Sequence, residues 1–112
     1  MQIGLNFNNR RVKIDAKKCN SVQKAVGLMF SRRQKARILF FEFQKNTTEA
    51  IHSFFVFYKF IAIWFDDAGE IIEKRVIRPF TLAARPKKPF KKLIEIPINN
   101  KYKSIVKLLV GD

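Results

Sequence analysis

The chain has 112 residues, 47% of them apolar, and 23 lysines and arginines against 9 acids give a net charge of +14. That length suits a single domain spanning residues 1–112, with enough apolar material for a core. Four glycines and four prolines argue against a long disordered linker. One cysteine excludes an internal disulfide, and one cysteine with one histidine argues against a structural zinc site built from four Cys and His ligands.

A charge excess of this size repels itself and destabilises a compact chain unless counter-charge is near. Thermophile surfaces are also rich in charge, but there lysine and glutamate rise together. Here glutamate does not follow, which points to an acidic partner: nucleic acid, anionic lipid or an acidic protein. The first fifteen residues hold no apolar core of signal-peptide length. With one cysteine, the expected location is the cytoplasm.

Ile3, Leu5 and Phe7 alternate, as do Val12 and Ile14, and Asn8-Asn9-Arg10 between them suits a tight turn, so the chain opens with a predicted hairpin. Asn20 or Ser21 then caps a short amphipathic helix, whose apolar face is Val22, Ala25, Val26 and Met29. Ser31–Arg37 is a basic connector, Ile38–Phe43 a strand and Gln44–Ala50 a turn.

Ile51–Phe65 dominates the chain, with seven of its fifteen aromatic residues. It is too short for a membrane helix, which needs about 20 apolar residues, and Lys59 interrupts it. Its aromatic and branched residues favour a strand covered on both faces. The reading is one long bent strand, or two short ones breaking near Tyr58-Lys59. Asp66–Gly69 closes it as a hairpin turn, and Glu70–Ile77 returns. Arg78–Pro89, with three prolines, reads as loop or sheet edge. Leu93, Ile94, Ile96 and Ile98 form another strand, with Pro97 suggesting an edge. Tyr102–Val110 is a short helix or a last strand.

Ala25–Phe30, Ile38–Phe43 and Ala62–Ile72 resemble the "GLM", "MLF.F" and "ILFLD.DG.VV" blocks of the domain of unknown function 192 family. Leu93-Ile94-Glu95-Ile96-Pro97 is similar to its "VLELP" block, and Val110-Gly111-Asp112 to its closing "VGD". The blocks follow family order from about Val12 to Asp112. The resemblance implies a small, mostly-β, barrel-like domain with a helix, and no particular activity. The polar "WMKNT..PLD" block of many members is absent from His52–Ile61, so any chemistry it performs elsewhere is not expected here.

The residue reading and the resemblance agree on an α+β chain that is mostly β, with a small barrel-like antiparallel or mixed sheet and one short amphipathic helix. No Gly-rich phosphate loop or nucleophile motif is present, which favours a non-enzyme without cofactor or metal. Cys19 beside Lys17 and Lys18 fits a packed thiol better than a reactive one. Two basic clusters on predicted loops, Arg32, Arg33, Lys35 and Arg37, and Arg85, Lys87, Lys88, Lys91 and Lys92, are the candidate nucleic-acid contacts, since phosphate neutralisation releases counterions. Phe80 and Phe90 could stack on unpaired bases or point into the core. The alternative functions are a small-ligand or enzymatic pocket near His52, Asp66 and Glu95, or a subunit that pairs with an acidic protein.

Overall fold

The computed structural model describes residues 1–7, 9–20 and 27–111. The opening alternation does form a hairpin: β1 (Gln2–Phe7) pairs antiparallel with β2 (Arg10–Asp15), with Leu5 opposite Val12 and Ile3 opposite Ile14. Asn9 takes the left-handed conformation of the turn, with φ 62°.

A five-stranded mixed sheet holds the rest. Its strands are β3 (Lys17–Lys18), β4 (Leu39–Thr47), β5 (Phe60–Phe65), β6 (Ile71–Ile77) and β7 (Phe90–Pro97), in spatial order β3-β4-β7-β5-β6. The β3–β4 pair is parallel and the others are antiparallel. Among the described pairings the two edge strands do not meet, so the sheet is barrel-like in content but not closed. A 3-10 turn (Asn100–Tyr102) leads into helix α1 (Lys103–Val110).

Every residue of β5 is buried. Phe60, Ala62 and Trp64 enter one core, with Leu39, Phe41, Leu93, Val56 and Tyr58. Ile61, Ile63 and Phe65 enter a second, with Phe40, Ile94, Ile96, the hairpin's Leu5 and Ile14, and Leu109 of α1. Successive strand side chains point to opposite faces, so the continuous apolar run reflects cover on both sides. The hairpin and α1 cover one face; irregular segments around residues 28–36, 51–58 and 78–84 cover the other.

Four expectations need correction or placement. The central run does break near Tyr58-Lys59, but residues 51–59 are not a strand. They are loop, with an isolated β-bridge from Ile51 to Ala84. The turn expected at 44–50 begins later, because β4 continues to Thr47 through a register irregularity. Pro97 does not mark an edge: β7 lies between β4 and β5, and Pro97 is its last residue, where a missing N–H costs least. The predicted helix at 22–29 lies largely outside the described residues, and 27–30 are turn. For the C-terminal segment the helical alternative holds.

Candidate ligand-binding site

On β7 the alternation places Leu93 and Glu95 on the face covered by loops, while Ile94 and Ile96 face the hairpin. Glu95 stands opposite Leu39 on β4 and Ala62 on β5. The small Ala62 side chain leaves room on one side of the carboxyl. A cavity of about 380 Å³ opens there. Its walls are Phe41 and Phe43 of β4, Phe60 of β5, Phe90 and Leu93 of β7, and Leu28, Met29, Ile51 and Val56 from the covering loops. Polar groups are few: Glu95, Glu49 and His52.

Glu95 is 6% exposed, and burial among apolar walls pushes its carboxyl from the ordinary 4.5 up to about 8. Gly27, at φ 55°, runs beside it: a Cβ there would sit 3.5 Å from Glu95 Oε1. Tyr58 lies close enough to feel the carboxylate. Its phenol is raised, by burial above all; the bond with Ser31 lowers it by less, and the charge of Glu95 adds a smaller rise. Ser31 Oγ donates to Leu28 O at 2.6 Å, so in its 2.5 Å contact with Tyr58 the phenol is the donor. This chain of bonds pins the 28–31 turn over the cavity.

His52 stands exposed at the mouth. Its Nδ1 accepts from the backbone N–H of Phe54 at 3.3 Å, which leaves Nε2 to carry the proton of the neutral ring. Of the three residues proposed for a pocket, His52 and Glu95 therefore share one cavity and Asp66 does not line it. Asp66 closes the β5–β6 turn instead: its Oδ1 accepts from Ala68 N at 3.0 Å and Glu70 N at 2.9 Å, with Gly69 at φ 85°. Among the described residues no three His, Cys, Asp or Glu side chains gather closely enough to hold a metal ion.

The basic candidates are all at least partly exposed. Arg33 donates from Nε to Ile98 O at 2.8 Å, beyond the end of β7. Lys91 and Lys92 lie at the start of the same strand, roughly 20 Å away at about 3.3 Å per residue. Lys91 reaches Asp67 at 3.1 Å and Arg37 reaches Asp15 at 3.7 Å, both in exposed geometry. Arg85 sits beside β6, its carbonyl accepting from Arg75 at 3.2 Å; Arg32, Lys35, Lys87 and Lys88 are exposed. Phe90 is fully buried in the cavity wall, whereas Phe80 is exposed.

The sequence pattern did not single out Tyr58 and Ser31, because 27 residues separate them and no local spacing signals their contact. It also placed Phe54, Phe55 and Phe57 in the core. They lie on the loop and are exposed.

No family model matches the chain. It is 28% identical over 93 residues to a UPF0127 protein of Pyrococcus abyssi (strain GE5 / Orsay), a match that covers 83% of this chain and 77% of the relative. UPF0127 is the family that contains domain of unknown function 192, so this likeness agrees with the blocks read from the sequence. Two crystal structures share the fold. A protein of unknown function from Novosphingobium aromaticivorans DSM 12444 superposes with a TM-score of 0.75 at 11% identity, covering 93% of this chain and 76% of that one. A candidate transcription regulator of Sinorhizobium meliloti 1021 gives 0.74 at 16% identity, covering 91% and 81%. No described helix is long and apolar enough to cross a membrane.

Proposed function

We propose that this chain is a divergent domain-of-unknown-function-192-type binding domain. Its pocket takes a small, largely apolar molecule that presents one hydrogen-bond acceptor, such as a carbonyl, to Glu95. The observation that carries this reading is the Glu95 carboxyl itself: it is 6% exposed, it lies on the wall of an apolar cavity, and burial raises its pKa to about 8. Burying a carboxyl among apolar side chains costs stability, and a cavity with few convergent polar groups is the usual form of a ligand site. With its pKa raised to about 8, Glu95 is mostly uncharged at neutral pH, and its O–H is a donor for a ligand acceptor. A cationic ligand would meet a chain of charge +14 and is disfavoured. No described residue lining the cavity is a nucleophile with a positioned base, and the reading is therefore binding without catalysis.

Chemical-shift mapping with small ketones and amides tests it. Shifts should centre on Glu95, Leu93 and Phe60, and affinity should fall as pH rises past about 8. Glu95→Gln, which keeps an N–H donor, should bind without that pH dependence, and Glu95→Ala should lose about tenfold. Uniform weak shifts over the surface, or equal binding by all three proteins, overturn the reading.

A second reading is supported by the net charge and by the description of the Sinorhizobium meliloti neighbour as a candidate transcription regulator. In it, Arg32, Arg33, Lys35, Arg37, Arg85, Lys87, Lys88, Lys91 and Lys92 contact nucleic acid, within a cytoplasmic setting that suits a single buried cysteine. Filter binding across a salt series decides: affinity that falls steeply with salt supports it, and no binding at low ionic strength removes it.

A further inference from the structure

The loops over the cavity face display a second feature that ligand binding does not use. Phe30, Phe55, Phe57, Phe80 and Leu82 are between 47 and 75% exposed. They are held outward by built structure. Phe30, Phe55 and Phe80 all occupy the left-handed region, at φ 62°, 59° and 59°. Phe30 N donates to Phe55 O at 2.9 Å, and Phe80 N to Ser53 O at 3.0 Å. Ser53 is wholly buried; its hydroxyl donates to Arg78 O and accepts from Thr81 N, tying the 51–57 loop to the 78–84 loop. The rings pair with each other, Phe30 stacked on Phe55 at 4.9 Å and Phe57 edge-on to Phe80 at 5.6 Å.

The segments that carry them hold charge of one sign, with Glu49 on the cavity lining outside them. Segments 28–36, 52–60 and 78–85 contain no aspartate or glutamate, and they carry Arg32, Arg33, Lys35, Lys59, Arg78 and Arg85, all exposed. We propose that this face docks on an anionic lipid bilayer, its phenylalanines and Leu82 entering the headgroup–acyl boundary while the flanking cations meet lipid phosphates. Aromatic rings set at the interface within a basic rim are the mark of peripheral lipid binding. Single-stranded nucleic acid fits less well, because base stacking needs free ring faces and these rings spend theirs on one another, beside an aliphatic Leu82. A second copy of a +14 chain is repelled.

Co-sedimentation of the full chain with phosphatidylcholine vesicles, with and without phosphatidylserine, tests the proposal. Binding should require phosphatidylserine and weaken with salt. Phe57→Ser with Phe80→Ser, and separately Lys59→Glu with Arg78→Glu, should each lower partition by about tenfold. Unchanged far-ultraviolet circular dichroism shows that the variants fold. Ketone binding at Glu95 should persist in both, which separates this result from the fate of the pocket. The proposal is overturned by failure to bind anionic vesicles, by equal partition of the variants, or by loss in them of oligonucleotide binding or self-association alone.

Discussion

Glu95 occupies a position where the alternation of β7 calls for an apolar side chain, and its neighbours Leu93, Ile94 and Ile96 obey that rule. The departure has a measurable cost. Between pH 4.5 and 8 the folded chain holds a proton on Glu95 that the unfolded chain has released. Stability therefore falls as pH rises through this window and levels off above it. At about 1.4 kcal/mol per pKa unit the loss is a few kcal/mol. Urea melts of the wild type should show that decline, and Glu95→Gln should flatten it; parallel curves for the two would mean that the carboxyl is solvated. This residue was legible as an exception inside an apolar block. Its companions were not, since the approach of Tyr58 and Gly27 to the carboxyl arises only when the loops fold over the sheet. The same holds for the exposed phenylalanines. Hydrophobicity alone reads Phe54, Phe55 and Phe57 as core, whereas a left-handed Phe55 costs about 1–2 kcal/mol and turns its ring outward.

Strands announced themselves where alternation or an unbroken apolar run was long. β1, β2, β5, β6 and β7 were all legible in outline, and the Asp66–Gly69 turn was legible from its chemistry. The two-residue β3 was not, because Lys17 and Lys18 are exposed and only parallel pairing to Leu39 and Phe40 defines it. The choice between helix and strand for the last segment was settled by tertiary packing, which sets Leu109 among the hairpin's apolar residues. Asn99 starts that segment. It is buried, donates to Arg33 O at 2.7 Å and Ala36 O at 3.3 Å, and accepts from Tyr102 N at 3.2 Å. Tyr102 OH in turn accepts from Ile38 N at 3.1 Å. Asn99→Ala should destabilise the chain by about 2 kcal/mol, through lost bonds and stranded carbonyls, read as a lower urea midpoint. An unchanged midpoint would show that water replaces all three bonds.

Across the whole molecule, of five ion pairs among the described residues one uses the N-terminal amine and four use Lys18, Arg37, Arg75 and Lys91 from the 23 lysines and arginines, and all are at least partly exposed. Each such pair is worth about 1 kcal/mol or less, so self-repulsion is only partly offset. Melting temperature should rise by several degrees from dilute buffer to about 1 M salt, where the Debye length shrinks to about 3 Å. A temperature that stays level would show that the cations are spaced too widely to interact. Composition revealed this excess at once. It could not say that the cations stand on both ends of β7 and around an aromatic face, because that depends on how the loops cross the sheet.

The sheet's two-sidedness has an evolutionary corollary. Positions 60, 62 and 64 answer to the core on the side of the Glu95 cavity, while 61, 63 and 65 answer to the hairpin and α1. Drift in what the chamber admits can accumulate on every other residue while the intervening ones keep the scaffold upright. Relatives that hold different guests should thus diverge along β5 in a two-beat rhythm.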